Sequence, residues 1–336
     1  MQHTSLLPSL TRATRLAAAL ATATLALWQP VTHAQTADDF PNKPVKLIVP
    51  FSPGGSTDVI ARLVAKEMSR TLGQPVVVEN KDGASGAIAT DFVAKAAPDG
   101  YTLCYCTTGS IAILPLLDSK LSYRPDRDLA AVTLAVNQPF GIVVRSNLGV
   151  NNFREFVAMA KANPGKISFG SPGTATPSHL TGEMLAMATG TELRHAPYRG
   201  DAPAVQDLTG GHIDAMMLSA VSVKGVVDTG RVKLLAVSSL TRLRQFPDVP
   251  TVAELGYAGF QTNNLQALYA PAKTPPAVIA KLNAAAIAAL RTQEAVEKIA
   301  GQGLIIIGDT PASAAKTMKD ESERWAPVVQ KLDLRR

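Results

Sequence analysis

Several absences narrow what this 336-residue chain does. It has no GxSxG run for a nucleophile elbow, no GxxxxGK[ST] and no GxGxxG, so the common acyl-transfer, phosphate-cradling and dinucleotide signatures are missing. Its five histidines include His3 and His33 at the start; His179, His195 and His212 are spread along the chain without metal-ligand spacing. No enzyme, metal or cofactor is therefore expected. There is no run of five like charges, which argues against a nucleic-acid footprint. Aromatics are only 5% of residues against 46% hydrophobic overall, a balance that suits α/β layers with alanine-rich helices. Only Cys104 and Cys106 carry thiols. Two residues apart on a strand, they are expected to be buried thiols acting as small apolar groups, since their Cα separation would approach the upper limit for a disulfide; a disulfide is the lesser alternative, open to an exported protein.

The N-terminus reads as a targeting segment. Arg12 and Arg15 precede an uncharged stretch of 13 residues, Leu16 to Trp28, and Thr32-His33-Ala34 offers small residues before Gln35. That order describes a secretory signal peptide over residues 1–34. The stretch falls short of the ~20 residues a spanning helix needs. Its removal takes two arginines and no acid, leaving 31 basic against 27 acidic residues, a mild excess that slightly favours an anionic ligand. The mature protein is expected in the periplasm.

What is present begins with Pro50-Phe51-Ser52-Pro53-Gly54-Gly55-Ser56-Thr57-Asp58. An apolar run, Val45 to Val49, precedes it, and Ile60, Leu63, Val64 and Met68 follow at helical steps. Glycines permit a sharp turn and a close backbone approach, and an open helix N-terminus attracts anions. Such a turn can equally be a plain connection. A second turn, Ser171-Pro172-Gly173-Thr174-Ala175-Thr176-Pro177-Ser178-His179, repeats the sequence of strand, Ser-Pro-Gly and helix, with Thr176 as N-cap. A third strand, Tyr101 to Cys106, runs into Thr107-Thr108-Gly109-Ser110. Later segments include strand-like runs at Ala131 to Ala135 and Gly141 to Arg145, and helical patterns at about 276–290 and 311–330. Alternating strands and helices predict mainly parallel sheets flanked by helices, and similar turns about 120 residues apart predict one ligand turn per domain. Crossing points near Pro139 and Pro250 predict a discontinuous first domain, 43–140 with 253–336, around a second, 141–252.

The motifs together resemble a known family. Val49 to Asp58, Val78-Glu79-Asn80-Lys81 with Gly83 and Gly86, Ala97 to Leu103, Ser171 to Leu180, Ala196 to Gly200 with Gly210-Gly211, and Phe246 to Glu254 occur in order over essentially the whole mature chain. They are similar to the Bug family, the TctC-like periplasmic receptors of tripartite tricarboxylate transporters. The resemblance implies a two-domain flytrap of the periplasmic-binding-protein type II kind. It also implies a monomer that passes a small carboxylate (a di- or tricarboxylate, an amino acid or an aromatic acid) to membrane permease subunits; a sensor kinase reading the same closed form is the alternative. The implied ligand-binding set is Ser52, Gly54, Gly55, Ser56, Thr57 and Asp58, then Thr107, Thr108, Gly109 and Ser110. From the second domain come Ser171, Gly173, Thr174, His179, Gly200 and Asp201. Within it, Asp58 is read as a cap or loop organiser and His179 as a cap or a contact. The chain departs from the family at Asp201, usually a small residue, and at Asn264-Leu265-Gln266, commonly aromatic. Asp201 is expected either to cap the helix before Ala202-Pro203 or to meet an ammonium on the ligand.

Overall fold

The computed structural model describes residues 39–332, apart from Gly55 and Arg199. The predicted signal peptide lies outside the described residues. In the first lobe, β1 (Val45–Val49), β2 (Val76–Asn80) and β3 (Thr102–Thr107) form a parallel trio in the order β2-β1-β3. Helix α1 (Ser56–Leu72) follows β1, and its apolar positions Ile60, Leu63, Val64 and Met68 are buried, as their spacing predicts. Helix α2 (Ala87–Ala94) leads to β3, and the short α3 (Leu114–Leu117) and α4 (Pro125–Asp128) lead to β4 (Leu129–Arg145).

The second lobe repeats the plan. It contains α5 (Phe153–Ala162), β5 (Ile167–Ser171), α6 (Pro177–Thr189), β6 (Leu193–Pro197), α7 (Asp201–Gly210), β7 (Ala215–Ser219), α8 (Ala220–Val227) and β8 (Val232–Val237). Strands β6, β5 and β7 are its parallel trio. The chain then returns through β9 (Asn263–Pro271), α9 (Pro276–Leu290), α10 (Gln293–Gly301), β10 (Ile305–Ile306) and α11 (Pro311–Lys331). The described residues from Pro41 onward form one compact unit.

Antiparallel strands complete both trios. The predicted runs 131–135 and 141–145 are in fact one strand, β4. Its first part pairs β9 as far as Pro139↔Asn263, and its second pairs β7 from Phe140↔Ser219. Proline has no N–H for the ladder, and here it sits where the strand changes partners. Each lobe has its own core. Ile48, Leu134, Ala267 and Met318 belong to the first, and Ile142, Phe153, Phe169 and Leu235 to the second. Val252 and Phe260 also pack in the second-lobe core.

The cysteines correct the sequence reading. Cys104 and Cys106 form a disulfide, because local strand geometry brings their Cα atoms to 5.3 Å, well inside bridging reach. Both are fully buried, immediately before Thr107.

Candidate functional site

A cavity of about 670 Å³ lies where β4 passes from one lobe to the other. That volume suits a small ligand. Helix starts dominate its wall: Ser56 and Thr57 of α1, Thr176 and Ser178 around the start of α6, Gly200 and Asp201 of α7, and Ser219 and Ser222 of α8. Each such end carries the partial positive charge of about half a proton that aligned peptide dipoles leave there. Of these, α7 and α8 lack a side-chain cap. Neither Gly200 before α7 nor Ser219 before α8 accepts a first-turn N–H through its side chain. Those N–H groups remain for a ligand or solvent. Among the described lining residues there is no lysine or arginine.

The first turn is held from behind. Gly54 takes φ +85, a conformation glycine adopts without strain, and its N–H donates to Asp58 Oδ2 at 2.9 Å. The same carboxylate accepts from Arg62 Nε at 2.9 Å and from Asn80 Nδ2 at 2.8 Å. Burial works to raise the Asp58 pKa, but the hydrogen bonds from Arg62, Gly54 and Asn80 outweigh it and hold the carboxyl below its ordinary value. Asp58 is 2% exposed and organises the loop without facing the cavity.

The second turn rests on imidazoles. Ser171 Oγ lies 2.7 Å from His195 Nε2, and the His195 and His179 rings stack with centroids 3.7 Å apart. These histidines, widely spaced in sequence, are neighbours in space because β6 runs beside β5 under the start of α6. The pair holds no metal-binding group of three or more donors among the described residues. His179 Nδ1 accepts from Ala175 N at 3.0 Å, while Thr176 Oγ1 caps the helix by accepting from His179 N. Desolvation, then the neighbouring His179, push the His195 pKa down to about 4.

The remaining site residues divide by position. Gly54, Ser56, Thr57, Gly200 and Asp201 line the cavity. Thr107, Thr108, Gly109 and Ser110 are buried beneath it, where Thr108 Oγ1 accepts from Leu265 N at 2.8 Å. Ser171 is buried below the second turn; Thr174 is exposed, and neither it nor Gly173 lines the cavity. Ser52 is exposed and donates to Asp82 Oδ2 at 3.0 Å. Gly55 lies outside the described residues. Asp201 does not cap its helix. Gly200, at φ +107, is the N-cap, which leaves Asp201 as the first helical residue with no hydrogen-bond partner among the described residues. Its carboxylate is open to the cavity yet crowded by protein, and this desolvation raises its pKa.

Sequence reasoning missed Gln138. It is 5% exposed, on β4 just before Pro139. Its Nε2 donates to Ser56 Oγ at 3.2 Å and, by a short bond, to Ser219 Oγ, tying the starts of α1 and α8 together. Its Oε1 accepts from Asn264 Nδ2 at 3.2 Å and Gln266 Nε2 at 3.1 Å. A polar residue inside a strand has no turn signature, so only its place at the partner change could have marked it. Ser219 and Ser222 escaped notice for a similar reason, since they flank a helix start without glycine or proline.

Two α/β lobes sharing antiparallel strands, with a polar cavity ringed by helix N-termini, define a solute-binding receptor of the flytrap kind. The chain belongs to the tripartite tricarboxylate transporter family of receptors, whose description matches residues 60–334. This is a family of periplasmic receptors, not enzymes. A UPF0065 protein from the tcbD-tcbE intergenic region of Pseudomonas sp. strain P51 is 39% identical, over 92% of this chain and 92% of the relative. BugT of Bordetella pertussis is 38% identical over 88% of this chain and 91% of its own. Among solved structures, periplasmic binding protein BugD is 36% identical with a TM-score of 0.76, covering 88% of this chain and 99% of that one. An R. palustris protein solved with adipate is 31% identical at a TM-score of 0.78, over 87% and 98% of the two chains. MatC of Rhodopseudomonas palustris, solved with malate, is 33% identical at 0.75, over 86% and 100%. No helix among the described residues is long and apolar enough to cross a membrane.

Proposed function

We propose that this chain is an exported receptor that captures a small carboxylate in the interlobe cavity and hands it to the membrane components of a tripartite tricarboxylate transporter. The observation that carries the reading is the convergence of four helix N-termini, those of α7 and α8 without side-chain caps, on a cavity with no described basic side chain. Oriented N–H groups and hydroxyls then bind the carboxylate oxygens, as helix starts bind anions generally. The adipate and malate held by two structural relatives support this ligand class.

The two lobes are read as 43–140 with 253–336, and 141–252, with β4 and β9 as the flexing connection. Each lobe supplies part of the contacts, so ligand favours the closed form over the open one. Gln138 spans the two sides through Ser56 and Ser219 and registers closure. Export follows the N-terminal leader, and the periplasmic form starts at Gln35.

The test titrates succinate, adipate, citrate and benzoate by calorimetry and follows the best binder by small-angle scattering. Micromolar or tighter binding of a carboxylate with a smaller radius of gyration is expected. Saturated binding without compaction would sink the closure mechanism, and no binding of any carboxylate would sink the ligand class.

A further inference from the structure

Asp201 is a misfit in an anion site. It is the one ionisable side chain among the described residues lining the cavity, and it carries the same sign as the proposed ligand. At α7 the carboxylate itself occupies the positive end of a helix, so that end is partly neutralised for an incoming anion. Exposed to solvent on the cavity side, it makes no hydrogen bond to any described residue, unlike the buried Asp58, whose oxygens meet three donors. The cavity thus has a donor-rich part, at the starts of α1, α6 and α8, and one acidic acceptor without a described protein donor, Asp201.

Resting on the carboxylate reading above, we infer that the ligand is an amino-bearing carboxylate whose ammonium group faces Asp201 while its carboxylate faces the helix starts. An ammonium has three donors and no acceptor, which matches the unpartnered carboxylate of Asp201. In a water-poor closed cleft, a charge-assisted hydrogen bond to a carboxylate is roughly twice as strong as a neutral one. A plain di- or tricarboxylate would instead bring a second anion against Asp201. Desolvation already disfavours the charged carboxylate in the empty cavity, and a bound cation relieves that cost.

The experiment is calorimetry at pH 7.5 on wild type, Asp201→Asn and Asp201→Ala, with each variant's melting curve recorded to confirm folding. The probes are matched pairs: aspartate with succinate, glutamate with glutarate, and 6-aminohexanoate with hexanoate. At least one amino member is expected to bind wild type tenfold or more tightly than its deaminated partner. Asp201→Asn should weaken that member by tenfold or more while leaving the plain acid unchanged or tighter. Equal affinities within every pair, or equal losses of both members in Asp201→Asn, would overturn the inference while leaving carboxylate capture intact. If neither member of any pair binds wild type, the carboxylate reading falls, and this inference with it.

Discussion

Two aspartates sit in the first turn of helices that face the same cavity, and they do opposite things. Asp58, in α1, is buried and fully engaged by Gly54 N, Arg62 and Asn80. Asp201, opening α7, reaches the cavity and has no described partner. The residue type is the same and both lie in a first turn, Asp58 as the third helical residue and Asp201 as the first. What differs is the donor supply: β2 brings Asn80 behind the first turn, and nothing described is brought behind Asp201. An acid at a helix start is therefore scaffolding when the fold satisfies it and a ligand determinant when it does not.

The contrast breaks most visibly at Asp58. Asp58→Ala removes three hydrogen bonds and leaves the Gly54 N–H and one Asn80 Nδ2 donor without their carboxylate partner, while Arg62 keeps its bond to Asn80 Oδ1. We expect a loss of ~2–4 kcal/mol of unfolding free energy, read by urea denaturation. A loss under about 0.5 kcal/mol would mean that the first turn does not depend on its carboxylate. Gln138 comes next, because it joins the two sides directly. Gln138→Ala should weaken the bound carboxylate by roughly 1.5–3 kcal/mol by calorimetry. Unchanged affinity would show that its bonds to Ser56 and Ser219 play no part in the bound form.

A third outcome separates the anchors of the two turns by pH. His195 has a pKa of 6.5 when free and about 4 when folded. The unfolded chain takes up the proton first as pH falls. Stability from the neutral imidazole is thus complete above 6.5 and lost progressively down to about 4. Half-buried, it should cost ~1–2 kcal/mol over that range, seen as a falling melting temperature that His195→Gln makes shallower. The Asp58 anchor runs in the same direction but in a lower window: its lowered pKa keeps its contribution intact through that range and surrenders it only as pH falls below the ordinary value of 3.8. The smallest effect belongs to Asp201. Its raised pKa means that the unfolded chain ionises first as pH rises, so the charged folded form is penalised at neutral pH. Because Asp201 is exposed, solvent screens most of that penalty, and Asp201→Asn should raise the melting temperature of the empty protein by under ~1 °C at pH 7, with no gain below pH 3.8.

Much of this fold was legible from pattern alone, because period and punctuation are local. The buried stripe of α1 follows Ile60, Leu63, Val64 and Met68, and Thr176 with Pro177 marks the start of α6. The echo between the turns at Pro50 and Ser171 pointed to a site with one wall per lobe. What was not legible depends on partners distant in sequence. The runs on either side of Pro139 look like two strands and are one, β4, which exchanges β9 for β7 there. His179 and His195 looked unrelated and are stacked. Asp201 looked like a cap, but Gly200 takes that position because its φ of +107 lets the chain enter the helix one residue earlier. Cys104 and Cys106 turn on a Cα separation of 5.3 Å that sequence spacing alone does not set.

The most direct measurement is native mass spectrometry of the full-length chain, expressed with its own leader and purified from the periplasm without added ligand. The expected result is a one-to-one complex with a small acid carrying both a carboxylate and a protonatable amine, absent from Asp201→Ala prepared in parallel. A bound molecule with no carboxylate, or the same acid retained undiminished by Asp201→Ala, would contradict the account of this cavity.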